Sequence, residues 1–351
     1  MMWHRFLTGG AQGGVRDYGD VTAEHAAINN AAGLWHHGHG GLVEVGGKDR
    51  VGWLQNLLTQ DIKNLSPGDG HYAFAVNVKG RIVFDLHVWM DREAIWLDLD
   101  RRTLDDALSH LNKFIITEDV TLADRSEEFV RLVLLGPKGG AILSEFGATH
   151  ASAMAHFQHT PIDIAGASVR LLRQPELGPC GWALNVPSES ATTVRSELLR
   201  VGEPHGLIPV GLDAVNIQRI EAGVPWSMNE IDNTVLPAET GQFDRAVSFN
   251  KGCYLGQEIV ERMRTRGSVA RALVGLRLDS PDGAEGFTEG APLGHDGRTV
   301  GIITSTCQSL SLGSWIGLGY VRQAQSDVGV ELTIESSTPS ATVTVCELPF
   351  R

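Results

Sequence analysis

The sequence predicts an α+β protein that ends in a small antiparallel β-barrel or sandwich. Before residue 270, helix-like and strand-like segments are mixed without the regular strand–helix alternation of a doubly wound sheet. From Ala272 onward, short apolar runs are separated by glycine and proline turns, which is typical of a small barrel. With 351 residues, the chain is long enough for two or three domains with well-buried cores.

The helices are predicted from apolar residues at helical spacing or from an alanine-rich stretch closed by glycine. The first helix stops at Gly33, and the second begins at Asp49, a good N-cap residue. In chain order the predicted helices are Thr22–Ala32, Asp49–Leu58, Leu104–Phe114, Ser188–Val201 and Leu212–Ala222.

The strands are predicted from alternating or short apolar runs between turn residues. Two of them flank Lys79-Gly80, which predicts a hairpin. In chain order the strands are Gly41–Gly46, His71–Val78, Arg81–Met90, Ala94–Leu99 and Val130–Leu135, then Ala272–Leu278, Thr299–Ser305, Trp315–Val321, Val330–Ile334 and Ala341–Leu348. These elements predict an N-terminal α+β portion at 1–130, a second α+β portion at 131–272 and a barrel at 273–351.

Composition and charge predict a soluble, cytoplasmic protein. The formal net charge of −13 argues against indiscriminate binding to nucleic acid or to anionic membrane. No apolar stretch approaches the ~20 residues that span a bilayer, and the first ten residues lack a secretory-signal pattern. The four cysteines (Cys180, Cys253, Cys307 and Cys346) form no Cys-x-x-Cys pair, which favours free thiols in a reducing cytosol.

Two histidine groups resemble metal ligands only superficially. Around His36, His37 and His39 no carboxylate or cysteine stands at a ligand spacing, so we predict no metal site there. The same holds for His150, His156 and His159, which lie in a linker-like segment.

The segment most typical of a chemical function is Asn250–Gly267, which contains Lys251-Gly-Cys-Tyr-Leu-Gly-Gln-Glu258. Two glycines bracket Cys253 and allow a tight turn or a close approach to a ligand. Helix formers from Gln257 onward place Cys253 just before a helix and beside Lys251, and both features stabilise a thiolate. The alternative is that Cys253 is a small buried hydrophobic residue, as most free cysteines are.

Lys251–Glu258 matches the Lys-Gly-Cys-[Phe/Tyr]-x-Gly-Gln-Glu signature at every fixed position. On this motif the chain resembles the YgfZ family of folate-binding proteins, relatives of the glycine-cleavage T-protein. Gly211–Gly223 is similar to the family's Gly-x-Asp…Arg-x-Glu-Ala-Gly helix, and Leu236–Glu239 to the loop after it. Asn77–Leu86 resembles the central hairpin, and Ala31–Trp35 an N-terminal segment, so the resemblance covers nearly the whole chain.

The resemblance implies a T-protein-like fold, in which two α+β portions surround a cavity and a β-barrel follows. It implies that the cavity binds tetrahydrofolate or another reduced folate and that Cys253 is the family's functional cysteine. It also implies support of iron–sulfur protein assembly or repair, with iron–sulfur enzymes or assembly proteins as partners besides folate. Neither nucleic acid nor a membrane is expected as a partner.

A catalytic carboxylate is expected at Asp85. T-protein aminomethyltransferases carry Gly-Gly-x-x-Asp-Asp-Leu in this hairpin, and the aligned Gly80–Leu86 keeps Asp85 but has Phe84 at the other Asp position. A carboxylate there would act near the folate nitrogens, and a structural hydrogen-bonding role is the alternative. A second departure is Pro179, which stands where T-proteins hold the pteridine with a glutamate and has neither a carboxylate nor an N–H.

The arginines after the signature are predicted to bind the glutamate tail of folate, because guanidinium groups pair with carboxylates through two hydrogen bonds. Between Lys251 and Arg271 there are five Lys/Arg and two Glu, so this segment is basic in an acidic protein. A partner-protein surface and a merely solvated helix end are the alternatives. The residues predicted to contact folate are Asn77, Arg81, Arg219, Lys251, Gly252, Tyr254, Gly256, Gln257, Glu258, Arg264 and Arg266.

Three functions follow from these observations. The first is a tetrahydrofolate-binding protein that supports iron–sulfur proteins through Cys253, and the departures at Phe84 and Pro179 favour it. The alternative is a folate-dependent aminomethyltransferase, because Asp85 persists. The second alternative is a non-catalytic protein that has lost folate binding and uses Cys253 with a partner.

Overall fold

The computed structural model describes residues 14–174, 181–266, 269–335 and 341–350. Its helices are Val21–Asn30 (α1), Arg50–Gln55 (α2), Leu104–Asn112 (α3), Gly139–Ser144 (α4), Ala191–Gly202 (α5), Leu212–Glu221 (α6), Phe243–Ala246 (α7) and Gln257–Arg266 (α8). Its first strands are Ala32–His36 (β1), Gly40–Gly46 (β2), Gly70–Val76 (β3), Ile82–Met90 (β4), Ile95–Asp100 (β5), Thr121–Asp124 (β6), Phe129–Leu135 (β7), His159–Ile164 (β8), Ala167–Arg173 (β9), Gly181–Pro187 (β10) and Leu207–Val210 (β11). The remaining strands are Arg271–Leu278 (β12), Pro292–His295 (β13), Arg298–Gln308 (β14), Trp315–Arg322 (β15), Glu331–Ile334 (β16) and Ala341–Cys346 (β17).

The described residues form two compact units, and each unit combines segments that are far apart in sequence. The first is built from the chain up to Gln55, from Asp61–Ala73 and from Leu86–Gln218. The second is built from Asn56–Gln60, Phe74–Asp85 and the chain from Arg219 onward. The predicted boundaries at 130/131 and 272/273 stay predictions.

A six-stranded sheet with the order β11-β1-β7-β10-β9-β8 forms the centre of the first unit. Its strand β7 lies between two partners and ends in the fully buried run Leu132–Leu135, as expected for a strand covered on both faces. Trp182 on β10 fills the core beneath α4. A Cβ at Gly139 would lie 2.5 Å from the Trp182 ring, so glycine is what lets α4 approach the sheet this closely.

A five-stranded sheet has the order β3-β4-β5-β2-β6. Strands β4 and β5 pair antiparallel, with Leu86 opposite Leu99. The predicted hairpin at Lys79-Gly80 is confirmed: the Gly80 N–H donates to the Asn77 carbonyl oxygen at 2.8 Å. Gly80 has a φ of +71°, a left-handed conformation that glycine adopts without a steric penalty.

The C-terminal strands close into an antiparallel barrel with the order β12-β15-β14-β13-β16-β17. Its interior is filled by apolar side chains such as Leu276, Phe287, Leu293 and Val343. Together with the mixed elements before it, this barrel confirms the predicted α+β class with a C-terminal antiparallel barrel.

Local predictions differ from the structure at several places, among them the following. Gly33, predicted to stop the first helix, lies inside β1, where a Cβ would come within 2.8 Å of Val210 Cγ1 on β11. The predicted helix Asp49–Leu58 is shorter, because α2 ends at Gln55. The linker-like segment around His159 contains the hairpin β8–β9. Its first strand alternates only weakly in sequence, whereas β9 buries Ala167, Val169 and Leu171 in alternation.

Candidate functional site

The candidate site is built on the first part of β4, which belongs to the second unit and in which Asp85 and Phe84 have opposite surroundings. Ile82 and Phe84 are buried, Phe84 with 1% of its surface exposed, whereas Val83 and Asp85 are only half-buried. Successive side chains of a strand point to opposite faces. The T-protein pattern has Asp at both of these positions. In this chain the Asp is retained at the accessible position, 85, whereas the inward-facing position, 84, is occupied by Phe.

Ser227 provides a partner for this carboxylate: its hydroxyl donates a hydrogen bond to Asp85 Oδ1. Ser227 is 9% exposed and lies in a tight loop between α6 and α7. In that loop Met228 has a φ of +67°, and the Ile231 N–H donates to the Trp226 carbonyl oxygen at 3.1 Å. Sequence analysis missed Ser227, since its only signal was its position shortly after the Arg-x-Glu-Ala-Gly helix.

Glu230 closes the same loop through a buried ion pair with Arg219 on α6. Arg219 Nη1 lies 2.7 Å from Glu230 Oε2, and neither side chain is exposed. The second guanidinium nitrogen, Nη2, donates to Ser305 Oγ at 2.6 Å, and the guanidinium stacks on the Trp226 ring at 4.8 Å. The Arg219 side chain is thus enclosed by protein groups, and its predicted contact with folate stays a prediction.

The tip of the β3–β4 hairpin is held by its own polar side chains. Asn77 Oδ1 accepts hydrogen bonds from the N–H groups of Lys79 (2.9 Å) and Arg81 (3.2 Å), as turn-forming asparagines do. The Arg81 guanidinium donates to the Thr234 carbonyl oxygen. Asn77 and Arg81 therefore have structural partners, and their folate contacts stay predictions.

Lys251 connects the loop of the Lys251–Glu258 signature to the segment Asn56–Gln60 of the same unit. Its Nζ donates to the carbonyl oxygens of Leu58 (2.6 Å) and Gln60 (2.9 Å) and lies 5.0 Å from the centre of the Tyr254 ring. Tyr254 is buried, and this burial raises the pKa of its phenol. The ammonium is held by two backbone carbonyls, and its role as a stabilising cation for Cys253 stays a prediction.

Glycines bring the hairpin tip against the signature motif. A Cβ at Gly256 would lie 2.5 Å from the Asn77 carbonyl oxygen, and a Cβ at Gly80 would lie 2.8 Å from the Ile259 side chain. Gly256 also has a φ of +77°. The close neighbour of Gly256 is thus the hairpin, and the predicted close approach of this motif to a ligand stays a prediction.

Cys253 is exposed at the surface of this loop, which corrects the alternative of a buried hydrophobic residue. Gly252 beside it is exposed too, and no atom lies within 4 Å of a Cβ placed there. Helix α8 begins at Gln257, so Cys253 precedes it by four residues. The motif places an accessible thiol at a loop whose base is fixed by Lys251 and Gly256.

The basic residues of α8 are paired along the helix. Arg262 Nη2 lies 2.9 Å from Glu258 Oε1, and Arg264 Nε donates to Glu261 Oε1 at 2.9 Å while its guanidinium stacks on Phe249. These side chains are about half-exposed, and the Glu258 side chain is almost fully exposed. The Arg266 side chain lies outside the described residues.

The part of the chain that the structure describes contains no group of three or more His, Cys, Asp or Glu side chains able to hold a metal ion. Among its helices, none combines the length and the apolar character required to cross a membrane. Pro179 and Cys180 lie outside the described residues.

Two family models match this chain along most of its length. The GCVT N-terminal domain matches residues 11–251, and the Glycine cleavage T-protein C-terminal barrel domain matches residues 271–351. The chain belongs to the glycine-cleavage T-protein superfamily. The second match coincides with the closed barrel, and the first contains both Asp85 and Ser227.

Curated relatives of this T-protein superfamily member are named aminomethyltransferases. The one from Bacillus velezensis is 29% identical over 338 residues, covering 95% of this chain and 90% of the relative. The one from Rubrobacter xylanophilus is 30% identical over 334 residues, covering 95% and 87%. Membership in the narrower YgfZ family, which the Lys251–Glu258 signature predicts, stays a prediction.

A solved structure, the glycine cleavage system aminomethyltransferase T from Bartonella henselae, superposes with a TM-score of 0.84. It is 23% identical and covers 96% of this chain and 91% of its own. This likeness shows the fold, so the predicted T-protein-like architecture with its C-terminal barrel is confirmed.

Proposed function

We propose that this chain is a folate-dependent one-carbon transferase of the T-protein type, with Asp85 as its catalytic carboxylate. The observation that carries the proposal is that Asp85 keeps the accessible face of β4 while Phe84 is buried. A half-buried carboxylate is suited to accepting or holding a proton beside a bound amine. The relatives named aminomethyltransferase, which align over most of the chain, support the same function.

The described residues suit a reduced folate in two respects. Asp85 offers a carboxylate on an accessible face, next to a hydroxyl that orients it. The ion pairs of Arg262 and Arg264 within α8 are solvent-accessible, and such pairs contribute about 0.3–0.5 kcal/mol. A tail carboxylate that forms two hydrogen bonds to one guanidinium would therefore compete with them successfully.

A bound reduced folate would supply the amine nitrogen that accepts the one-carbon unit. Asp85 would take the proton that this nitrogen loses, since a carboxylate within hydrogen-bond reach is a general base. The carbon–sulfur bond of a lipoyl-linked donor would break as the carbon–nitrogen bond forms, and the departing thiolate would receive the proton from Asp85. Ser227 would keep the carboxylate in place through its hydrogen bond to Oδ1. The residues of α8 would bind the far end of the ligand.

A second candidate function is favoured by the exposure of Cys253. An accessible thiol in a loop with open space around Gly252 fits a YgfZ-type role, in which folate binding supports iron–sulfur protein assembly or repair. In that role Cys253 carries the function, and Asp85 is dispensable. A protein that only binds a partner through Cys253 would need no folate at all.

Calorimetric titration with tetrahydrofolate tests the shared part of these functions. We expect the wild type to bind and the Arg264→Ala/Arg266→Ala variant to bind at least about tenfold more weakly, because it loses charge-assisted hydrogen bonds. The exposed Asp244→Asn variant is the control and should bind as the wild type. Absence of binding by the wild type would reject both folate functions.

Transfer from a lipoyl-linked aminomethyl donor then separates the two folate functions. The proposal expects product from the wild type and from Cys253→Ala, and a loss of at least about 100-fold in Asp85→Asn. The competing outcome is that Asp85→Asn supports iron–sulfur enzyme activity in cells as well as the wild type does, while Cys253→Ala does not. In that case the iron–sulfur function replaces the proposed one.

A further inference from the structure

The Asp85 carboxylate is oriented by a residue that is far away in sequence. Ser227 donates its hydroxyl hydrogen to Oδ1, and 142 positions separate the two residues along the chain. A hydrogen bond donated to a carboxylate favours its charged form and restricts rotation of its plane. Ser227 is buried, so solvent does not offer an easy replacement for this donor.

The loop that carries Ser227 is held by Glu230. One carboxylate oxygen, Oε2, accepts the Trp226 N–H at 2.9 Å, and the Glu230 carbonyl oxygen accepts the Tyr320 hydroxyl at 2.9 Å. The loop is thereby closed on both sides of Ser227. Any movement of Glu230 would shift the hydroxyl that faces Asp85.

A β-bulge in the barrel supplies the anchor for Glu230. In β14, Ile303 pairs with Gly319, but Ser305 pairs with Leu318, so Thr304 is an extra residue. Ile303 packs in the barrel core, and the extra residue turns Ser305 to the outer face. There Ser305 Oγ donates to Glu230 Oε1 at 2.5 Å and accepts from Arg219 Nη2 at 2.6 Å.

We propose that Ser227 is a positioning residue for Asp85 and that Ser305 of the C-terminal barrel keeps Ser227 in place through Glu230. The inference rests on the proposed function insofar as Asp85 handles a proton. Three hydrogen bonds between described residues of the second unit form this connection, and the peptide bond between Trp226 and Ser227 completes it. The barrel therefore does more than bury apolar surface, because one of its bulges sets the geometry of the site.

The first test follows the Asp85 carboxyl directly and needs no substrate. The protein is labelled with [4-¹³C]aspartate, and the Asp85 resonance is assigned from its loss in Asp85→Asn. We expect Ser227→Ala to move the titration midpoint of this resonance to higher pH, because a donor to the charged form is lost. Ser227→Thr, which keeps the hydroxyl, should restore the midpoint.

Ser305→Ala should move the midpoint in the same direction by a smaller amount. The control is Ser326→Ala, a barrel serine whose hydroxyl donates to the Gln323 carbonyl oxygen, and it should titrate as the wild type. A Ser227→Ala protein that titrates as the wild type would overturn the assignment of Ser227. A Ser305→Ala protein that does so would overturn the role of the barrel.

The second test uses aminomethyl transfer. We expect Ser227→Ala to lower kcat by about tenfold with the KM for tetrahydrofolate changed less than about twofold, and Ser227→Thr to recover most of kcat. A loop that served stability alone would show an altered melting temperature with an unchanged kcat, which contradicts the proposal. If Ser227→Ala does not fold, Ser227→Cys, a weak donor of similar size, replaces it in both tests.

The two tests also separate this inference from the proposed function. A wild type without transfer activity rejects the proposed function, while the carboxyl titration still decides whether Ser227 and Ser305 control Asp85.

Discussion

Arg219 and Glu230 form an ion pair with no exposed side-chain surface, in which Nη1 lies 2.7 Å from Oε2. Removing one partner of such a pair leaves a buried, uncompensated charge and costs about 3–5 kcal/mol. We therefore expect Arg219→Met to lower the free energy of unfolding by about that amount, measured by urea denaturation. Arg262→Ala, which breaks the exposed pair with Glu258, is the control and should cost less than about 1 kcal/mol. Equal urea midpoints for the two variants would contradict the assignment of Arg219–Glu230 as a buried ion pair whose disruption is costly.

The contact between the hairpin tip and the signature motif depends on Gly256. An alanine there would need a left-handed backbone and would place Cβ 2.5 Å from the Asn77 carbonyl oxygen. We expect Gly256→Ala to destabilise the protein by at least about 1–2 kcal/mol, measured by thermal denaturation. Gly252→Ala in the same loop is the matched control, because open space surrounds that position. A larger effect of the control would show that the contact is misassigned.

Thiol accessibility distinguishes the cysteines of the described residues. Cys253 is exposed, whereas burial, together with the nearby Glu221 carboxylate, raises the pKa of Cys307 to about 12. At pH 8 a thiol of that pKa is only about 10⁻⁴ ionised, and the thiolate is the reactive form. Brief treatment with iodoacetamide followed by peptide mass mapping should label Cys253 well before Cys307. Cys253→Ser should remove this early label, and early labelling of Cys307 would contradict the burial.

Acid should destabilise the first unit through His159. Its Nδ1 accepts from Arg170 Nη1 at 3.2 Å, so Nε2 carries the proton and donates to the Met90 carbonyl oxygen at 2.9 Å. Burial, and then the Arg170 charge, lower the pKa of His159 below 6.5. Below pH 6.5 the unfolded chain therefore binds a proton that the folded chain does not, and stability is lost as the pH falls.

The measurement is urea denaturation at several pH values between 6.5 and 5. One proton contributes up to about 1.4 kcal/mol per pH unit, and His159→Gln should flatten the dependence by part of this amount. His156→Gln, at an exposed ring three residues away, is the control and should leave the dependence unchanged. If the free energy of unfolding of His159→Gln depends on pH as steeply as that of the wild type, other groups cause the acid sensitivity.

The sequence was a good guide wherever a short pattern decides the structure. The hairpin at Lys79-Gly80 was predicted because glycine marks the left-handed turn, and the barrel because short apolar runs recur between turns. Gly33 misled the prediction, since a glycine ends helices and also permits close strand packing, and only the neighbouring Val210 distinguishes the two. The hairpin β8–β9 was missed because its first strand alternates weakly.

Within the site, the sequence identified the residues but not their partners. Asp85, the Lys251–Glu258 signature and the Arg-x-Glu-Ala-Gly helix are all local patterns, and they were recognised as such. Lys251 donates to carbonyl oxygens about 190 residues earlier in the chain, and no local sequence pattern predicts these contacts. Phe84 was an ambiguous departure until strand alternation showed that it points inward.

The sequence by itself determined the α+β class, the C-terminal barrel and the location of the Cys253 and Asp85 motifs. These depend on backbone preferences and on apolar periodicities within a few turns of chain. Only the tertiary structure decided that Ser227 orients Asp85 and that Ser305 anchors Glu230, contacts that span 142 and 75 positions of the chain. Such contacts form because distant segments pack together and their buried polar groups must find hydrogen-bond partners. The sequence of a single strand or helix does not specify which distant residue becomes the partner.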